Sequence, residues 1–277
     1  MAVSTLIMTR DEEINLEACL TSVAWSDDVI VLDSGSTDGT LAIARRWGCR
    51  IFQRTFDDWS SHQNWALRNL DFRHSWVLNV DADERIGSEL ANEVRAVTKS
   101  PDDCVAFRMR RKDYFRDVWL RHATFYPTWL VRLYRPERVK YERLVNPIAC
   151  VSGKIGALKG HIEHQPFSKG ISHWIERHNS YSSFEAQEYL RASQPPVKQV
   201  LSRDANLRRK AMKTLFAKMP CRPLIKFGYL YLLHGGFLDG RAGLDYCILQ
   251  SIYEYLISLK VSERNGIDRT QSLETIL

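Results

Sequence analysis

The 277-residue sequence has no cysteine pair at metal-ligand or redox spacing. Its six cysteines lie far apart, without a CxxC motif. The N-terminal residues also lack a basic segment followed by a long apolar core, because the apolar run Val3–Met8 is too short for a secretory signal peptide. Together these absences predict reduced thiols and a cytosolic protein.

Glycine-rich phosphate loops are missing as well. The chain has 14 glycines, and two of them, Gly35 and Gly39, follow a predicted strand. Their spacing fits neither the GxGxxG motif of dinucleotide-binding proteins nor the Walker loop. The sequence therefore argues against a dinucleotide oxidoreductase and a P-loop kinase. A diphosphate bound at this sheet would need a metal ion, since no such loop is present to neutralise it.

No apolar run is long enough to span a bilayer, and charge is unevenly distributed. Leu224–Leu233 is apolar and aromatic but too short to cross a membrane. Residues 1–100 carry 16 acidic and 10 basic side chains, residues 101–200 carry 10 and 17, and residues 201–277 carry 7 and 12. The acidic first third suits a metal site, and the basic remainder suits an anionic partner.

Strands and helices alternate over the first hundred residues. Apolar runs of strand length occupy 3–8, 28–33, 50–54 and 75–80, and helical patterns separate them. This alternation predicts an α/β fold with a mainly parallel sheet flanked by helices. The later residues predict further strands at 105–110, 129–134, 148–152 and 157–164, a helix over 168–190 and a C-terminal helical extension. We expect a catalytic domain at 1–195 and a helical domain at 196–277.

Polar clusters follow three of the predicted strands. In parallel sheets, ligands bind outside the carboxyl ends of the strands. This rule selects residues 9–13 after the first strand, Asp33 after the second and Asp81–Glu84 after the fourth. We expect the three clusters to converge on one edge of the sheet.

The Asp81-Ala82-Asp83 triplet is the strongest candidate metal site. Carboxylates are ligands for Mg²⁺ or Mn²⁺, which commonly bind through one or two carboxylates together with substrate phosphates. A single aspartate at a strand end is often only a helix cap. The metal-site interpretation of the triplet therefore rests on its position after the fourth predicted strand. Asp33 also has two interpretations, a hydrogen bond to a nucleoside or an Asx-turn that caps the next helix.

Histidines in the middle of the chain do not predict a zinc site. His161 and His164 are three residues apart in a predicted strand and face opposite ways, and no cysteine stands beside them at ligand spacing. A position near the acceptor or the diphosphate is the better prediction for His164.

A basic amphipathic helix is predicted at 203–219, directly before the apolar run Leu224–Leu233. Such a pair is typical of segments that lie in a membrane interface. An ordinary helix that packs on its own core and exposes a basic face is an equally good interpretation.

Several motifs in the sequence resemble the inverting glycosyltransferases of family two, which have the GT-A fold. Leu6–Glu13 is similar to the family's opening strand and T-x-N-E turn, with Asp11 in place of asparagine. Asp28–Thr40 resembles the V-D-x-x-S-x-D-G-T signature and is the most specific match. Gln63–Leu67, Trp76–Glu84 and Gly236–Gly243 resemble bacterial lipopolysaccharide-core and exopolysaccharide glucosyltransferases, which act at the cytoplasmic face of the inner membrane.

The resemblance implies roles for individual residues. Thr9, Glu12 and Asp33 would bind the nucleoside, and Asp83, assisted by Asp81, would bind Mg²⁺ or Mn²⁺ and the diphosphate. Glu142 matches the catalytic base, although the histidine that usually precedes it is replaced by Tyr141. The next candidates for the base are Asp102, Asp103 and Asp113. The full predicted set of donor-binding residues is Thr9, Arg10, Glu12, Asp33, Gln63 and Asp81.

The expected activity is transfer of a single sugar with inversion, since the QxxRW motif of processive synthases is absent. The expected donor is a nucleotide sugar, a uridine diphosphate sugar by resemblance. The expected acceptor is lipid-linked, or a lipopolysaccharide or exopolysaccharide. We also expect peripheral contact with an anionic membrane and no nucleic-acid partner. The alternatives are a sugar-phosphate nucleotidyltransferase and a non-catalytic membrane-surface protein that binds nucleotide sugars.

Overall fold

The structure is a computed structural model that describes residues 3–191, 219 and 221–274, with side chains as far as residue 264. Its strands are β1 (Ser4–Thr9), β2 (Asp28–Asp33), β3 (Arg50–Gln53), β4 (Val77–Asp81), β5 (Glu84–Ile86), β6 (Cys104–Phe115), β7 (Val118–Trp119), β8 (Thr128–Tyr134), β9 (Val139–Glu142), β10 (Ile148–Val151) and β11 (Lys154–His164).

The helices of the described residues alternate with the first strands and then follow the sheet. They are α1 (Glu13–Ser22), α2 (Thr40–Arg46), α3 (Trp59–Asn69), α4 (Ser88–Lys99), α5 (Gly170–Arg191), α6 (Arg222–Gly228) and α7 (Gly240–Glu274). A π-helical turn, Tyr229–Leu233, follows α6, and a 3₁₀ turn, Gly236–Asp239, precedes α7.

One large sheet organises the strands in the order β3-β2-β1-β4-β8-β6-β11-β5, with β7 paired to β6. Strands β1 to β4 are parallel. Strand β8 runs antiparallel to β4 and β6, while β11 runs parallel to β6. Strands β9 and β10 form a separate antiparallel pair. The α/β fold with a mainly parallel, helix-flanked first half is therefore confirmed.

The first strands are buried on both faces, which explains their continuous apolar sequences. Ile7 and Val31 face a core shared with α1, α2 and α4. Their neighbours Leu6 and Ile30 face the other way, into a core shared with α3. Burial of each such side chain contributes about 1.5–3 kcal/mol, so the two cores fix the strand register that determines where the polar strand ends lie.

The chain divides into two compact units, one of residues 1–121 and 125–171, and one of residues 122–124 and 172–277. The sheet belongs to the first unit. The second contains most of α5 together with α6 and α7. The predicted domain boundary at 195/196 and the predicted basic helix at 203–219 lie outside the described residues, save Met219, and both stay predictions.

Within the second unit, α6 and α7 pack through a buried ion pair between Arg222 and Glu254. Asp239 accepts hydrogen bonds from the backbone N–H groups of His122 and Ala123 at 2.8 and 2.7 Å, which attaches the short 122–124 segment to this unit. In the part of the chain that the structure describes, none of the helices has the length and apolar character needed to cross a membrane.

Candidate functional site

The strand ends named by the sequence meet at one edge of the sheet. The register of β1 pairs Thr9 with Asp33 of β2 and Met8 with Asp81 of β4. The parallel direction of these strands places Thr9, Asp33 and Asp81 side by side, and Asp83 follows two residues later. We call this edge the acidic rim.

Asp33 is fully buried and organises the turn that follows it. It accepts hydrogen bonds from the Thr9 hydroxyl at 3.0 Å and from the N–H groups of Gly35 and Ser36 at 3.0 and 2.9 Å, and the Ser36 hydroxyl also donates to it. Burial alone would raise the pKa of Asp33, but these hydrogen bonds outweigh it and hold the pKa below its usual range.

Those four bonds fill the acceptor capacity of the Asp33 carboxylate. A nucleoside could bond to Asp33 only by displacing one of them. The observed geometry therefore matches the Asx-turn interpretation, while direct nucleoside contact stays a prediction.

The loops after β1 and β2 are joined by reciprocal hydrogen bonds. The Asp11 carboxylate accepts from the backbone N–H of Thr37 at 2.7 Å. The Glu12 N–H donates to the Thr40 hydroxyl at 2.7 Å, and the Gly39 N–H donates to Glu13 at 2.7 Å. These bonds explain the polar runs at 9–13 and 34–40, since each loop supplies the partners of the other.

Glu12 pairs with a half-buried cation, Lys169, at the same rim. Its carboxylate lies 2.5 Å from Nζ of Lys169 and accepts a hydrogen bond from Asn15 at 2.7 Å. Burial raises the pKa of Glu12 above its usual range and the charge of Asp83 adds to this effect, although Lys169 and Asn15 oppose it. Arg10 is exposed, and its carbonyl oxygen accepts a hydrogen bond from Lys169 at 3.1 Å.

Asp81 forms an ion pair with Arg132 of β8. The Arg132 guanidinium lies 2.5 Å from Asp81 and 2.9 Å from Glu84, which is fully buried. The Glu84 carboxylate also accepts a hydrogen bond from the Asp81 N–H at 3.0 Å. Burial raises the pKa of Glu84 despite the attraction of Arg132, and Asp81 adds to the rise. Arg132 thus keeps two neighbouring carboxylates together.

Asp83 is linked to Asp113 through His164. Nε2 of His164 lies 3.4 Å from Asp83, and its Nδ1 lies 2.6 Å from Asp113. Burial and the nearby Arg111 would lower the pKa of His164, but Asp83 and Asp113 overcome them and raise it to about 9. Asp113 is buried and also pairs with Arg111 at 2.9 Å. Burial would raise the pKa of Asp113, but Arg111 and His164 lower it.

The rim offers a two-residue site for a divalent cation. Within the described ranges, no group of three or more histidine, cysteine, aspartate and glutamate side chains is arranged to hold a metal. Asp83 and His164 nevertheless bring a carboxylate and an imidazole within 3.4 Å of each other, and Mn²⁺ accepts both kinds of ligand. Mg²⁺ and Mn²⁺ need few protein ligands where phosphates complete the shell. The residues fit a cation bound jointly with a diphosphate.

Gln63 is buried on α3, and its side-chain carbonyl oxygen has no hydrogen-bond partner among the described residues. The preceding His62 lies 3.3 Å from the Ser34 hydroxyl and 2.8 Å from the Arg54 guanidinium. Burial and the charge of Arg54 lower the pKa of His62 to about 4, so it is neutral near pH 7. The neutral side chains of His62 and Gln63 therefore lie on α3, and His62 contacts the turn that follows β2.

Glu142 lies on the separate β9–β10 pair rather than on the rim strands. Its side chain is 58% exposed, and its charged neighbour is Lys140 at 3.9 Å. Among the described residues, no contact links Glu142 to Asp83. Asp113, in contrast, contacts His164, which in turn lies 3.4 Å from Asp83. The assignment of Glu142 as the base stays a prediction.

Sequence reasoning missed the basic partners of the rim, Arg132, Lys169 and Arg111. It named His164 and Asp113 but did not pair them. One signal was available in the pattern of β6 and β8, where charged side chains interrupt otherwise apolar strands, as at Arg132 in Thr128–Tyr134. A buried charge of this kind needs a partner, and the carboxylates of Asp81 and Glu84 stand at the end of β4.

Comparison with known proteins identifies the family. A family model described as glycosyl transferase family 2 matches residues 4–161. This match covers more than half of the chain, and the protein therefore belongs to glycosyl transferase family 2 and is a glycosyltransferase. The resemblance deduced from the sequence is confirmed.

One relative matches the full length of the chain and another about two thirds of it. The lipopolysaccharide core biosynthesis glycosyltransferase LpsC of Rhizobium meliloti is 23% identical over 286 residues, covering 100% of this chain and 98% of that protein. An uncharacterized glycosyltransferase of Rickettsia typhi is 27% identical over 203 residues, covering 68% of each chain.

A solved structure shares the fold. The mannosyltransferase PcManGT of Pyrobaculum calidifontis, solved in complex with GDP-Man and Mn²⁺, has a TM-score of 0.51 and 16% identity. The match covers 94% of this chain and 86% of that one. At this identity the likeness supports the common fold alone.

Proposed function

We propose that this glycosyltransferase moves one sugar from a nucleotide sugar to a glycan or glycolipid acceptor, with inversion and with a divalent cation at Asp83. The observation that carries the proposal is the pairing of Asp83 with His164 on the acidic rim, 3.4 Å apart. The solved mannosyltransferase was crystallised with GDP-Man and Mn²⁺, which supports this class of donor and cofactor. The uridine base that we favour rests on the sequence resemblance.

The residues of the rim divide into two roles. Thr9, Arg10, Glu12, Asp33 and Gln63 would bind the nucleoside side of the donor, and Asp81 pairs with Arg132. Asp83 and His164 would hold the cation, and a bound divalent cation would stabilise charge on the departing diphosphate. His164 would have to lose its Nε2 proton to serve as a ligand, and Asp113 keeps the ring in position through Nδ1.

The acceptor hydroxyl must lose its proton as it attacks the anomeric carbon from the face opposite the diphosphate. Glu142 is the proposed general base. The absence of the QxxRW motif supports transfer of a single sugar. The full-length similarity to a lipopolysaccharide core glycosyltransferase supports a lipopolysaccharide-type acceptor. Family membership argues against the nucleotidyltransferase alternative, and the intact carboxylates of the rim argue against a non-catalytic binding protein.

Donor binding tests the proposal directly. Isothermal titration calorimetry with UDP-glucose, UDP-galactose and GDP-mannose, each with and without Mn²⁺, should find at least one donor whose binding requires the cation. Asp83→Ala should abolish that Mn²⁺-dependent binding, while Asp57→Ala, which removes a carboxylate that pairs with Arg54 in the loop before α3, should bind like the wild type. Unchanged Mn²⁺-dependent binding by Asp83→Ala would end the assignment.

We also propose peripheral contact with an anionic membrane at the cytoplasmic face. Unusually exposed apolar side chains line the π-helical and 3₁₀ turns: Leu232 is 64% exposed, Leu233 80% and Leu238 62%. The sequence 203–226 carries eight basic residues and one acidic residue. Exposed leucines beside a basic segment match the amphipathic character of interfacial anchors.

Vesicle sedimentation tests this contact. The wild type should co-sediment with vesicles of phosphatidylserine and phosphatidylcholine, and a Leu232→Ser/Leu233→Ser variant should stay in the supernatant. The control is Ile14→Ser, which changes a 58% exposed apolar residue on α1. Lys210→Glu/Lys213→Glu/Lys218→Glu should also weaken sedimentation. If both multiple variants sediment like the wild type, these residues do not contact the membrane.

A further inference from the structure

A row of basic side chains lies on one face of β6. Arg108, Arg110 and Lys112 alternate along the strand, and side chains two residues apart in a strand share a face. The residues between them face the other way, where Met109 is fully buried. Arg108 is exposed and the other two are half-buried, so this face of β6 carries a line of accessible positive charge.

Two tryptophans lie against this row. The guanidinium carbons of Arg108 and Arg110 lie 4.8 and 5.7 Å from the ring centre of Trp129 on β8, which is 39% exposed. Nζ of Lys112 lies 4.6 Å from the ring centre of Trp119 on β7. Each aromatic ring is therefore bordered by cations within cation–π distance.

The surface extends past β7. The guanidinium carbon of Arg121 lies 5.6 Å from the ring centre of Trp119. Tyr126 packs edge-on to Trp119 at 5.0 Å, and its hydroxyl lies 2.7 Å from Nε2 of His161. Glu163, which pairs with Lys112 across β11 and β6, is an acidic neighbour. We name the set Arg108, Arg110, Lys112, Trp119, Arg121 and Trp129 the basic–aromatic face.

Strand register places this face at the same end of the sheet as the acidic rim. Strand β8 is antiparallel to β4 and begins near the end at which β4 reaches Asp81, as the bond between Arg132 and Asp81 shows. Arg110 pairs with Trp129, and Asp113, one residue beyond Lys112, pairs with His164. Lys112 therefore lies one residue from Asp113 along β6, on the opposite side of the sheet from the His164–Asp113 pair.

We propose that the basic–aromatic face binds part of the acceptor, and that the acceptor is a glycan bearing phosphate or carboxylate groups. The flat tryptophan rings suit the apolar faces of sugar rings, while the guanidinium groups suit phosphate and carboxylate oxygens. This inference rests on the proposed function, because it names the substrate class of the same enzyme.

A lipid surface fits this face less well. Its exposed apolar groups are tryptophans bordered by arginines, without the exposed leucines found near Leu233. The cation–π pairs also stabilise the sheet, so the test must measure acceptor binding apart from folding.

The experiment measures binding of a core oligosaccharide released from rough lipopolysaccharide, with its phosphates intact or removed by hydrofluoric acid, in the absence of donor. Wild-type protein should bind the phosphorylated form about tenfold more tightly, a gain of the size that a few partly exposed charge pairs supply. Arg108→Glu/Lys112→Glu should erase that difference. The matched control Arg45→Glu/Arg68→Glu, which reverses two exposed charges on α2 and α3, should retain it.

Trp129→Ala should weaken the binding of both oligosaccharides by a similar factor. Trp129→Tyr should keep part of the affinity that Trp129→Ala loses. Thermal unfolding of each variant identifies any that fails to fold. If Trp129→Ala does not fold, the binding measured for Trp129→Tyr tests the role of the aromatic ring. Equal binding of the two oligosaccharides by the wild type, or unchanged binding by the Arg108/Lys112 variant, would overturn the proposal. So would binding to phosphatidylglycerol vesicles without binding to the oligosaccharide.

Donor titration separates this result from the proposed function. Retained Mn²⁺-dependent donor binding together with failed oligosaccharide binding would reject only the basic–aromatic face. Oligosaccharide binding without any donor binding would instead reject the proposed donor site and leave this surface standing.

Discussion

Nε2 of His164 lies 3.4 Å from the Asp83 carboxylate, although the two residues are 81 positions apart in the sequence. Strand β11 reaches the rim because it pairs with β6 and β5, and His164 is its last residue. The same ring is fixed by Asp113 at 2.6 Å. This relationship joins the predicted metal ligand to a histidine whose partners the sequence did not reveal.

We expect His164→Ala to weaken Mn²⁺-dependent donor binding by about 10–100-fold, the usual cost of losing a ligand or its immediate support. Asp113→Asn should give a smaller loss, because it removes only the group that positions the ring. Mn²⁺ titration followed by calorimetry at fixed donor concentration measures both. His74→Ala, which breaks an exposed pair with Asp27, is the control. Equal Mn²⁺ affinity in His164→Ala and the control would exclude the histidine from the site.

Glu142→Gln should lower turnover by about 10²–10⁴-fold while the donor Kd stays unchanged, since a general base contributes to the chemical step. Single-turnover assays of nucleoside diphosphate release, with donor binding measured separately, test this. Asp113→Asn provides the comparison, because that carboxylate is joined to the rim through His164. Near-normal turnover in Glu142→Gln would show that another residue takes the proton.

Arg132→Met should destabilise the fold by about 3–5 kcal/mol, because it leaves the fully buried Glu84 without its cation. Adding Glu84→Gln should recover part of the loss, since the uncompensated charge is then gone. Urea unfolding followed by tryptophan fluorescence gives both values. A double variant no more stable than Arg132→Met would show that packing, and not charge, dominates at this position.

Lowering the pH should reduce the free energy of unfolding, because it protonates Asp28. This carboxylate is fully buried and remote from the rim. It accepts hydrogen bonds from Ser4 at 2.5 Å and from Arg50 at 2.9 Å. Burial would raise the pKa of Asp28, but these bonds and the Arg73 N–H lower it. A lowered folded-state pKa means that the stabilisation is complete above the unfolded value of about 3.9 and is lost as pH falls below it.

We therefore expect Asp28→Asn to be less stable than the wild type by about 1–3 kcal/mol at pH 7, the cost of losing charge-assisted hydrogen bonds. The difference should shrink as pH falls below about 4. Urea unfolding of both proteins at pH 7, 5 and 3.5 measures it. A difference that is constant across this range would mean that the ionised form of Asp28 contributes nothing.

Sequence periodicity located most elements of the first unit closely. The predicted strand at 28–33 coincides with β2, and the predicted helix at 168–190 corresponds to α5 at Gly170–Arg191. Short or amphipathic elements were missed, namely α4, β5, β7 and β9. Strand β6 is twice as long as predicted because its outer half carries charged residues, which periodicity alone does not distinguish from a loop.

The sequence by itself determined the α/β alternation and the position of Asp33, Asp81 and Asp83 at strand ends, because apolar runs and turn residues act locally. Only the tertiary structure decided which charges meet. Arg132 reaches Asp81 and Glu84, Lys169 reaches Glu12, and His164 joins Asp83 to Asp113. These partners come from strands and loops distant in sequence, and the pairing of β8, β6 and β11, set by burial on both sides of the sheet, brings them together.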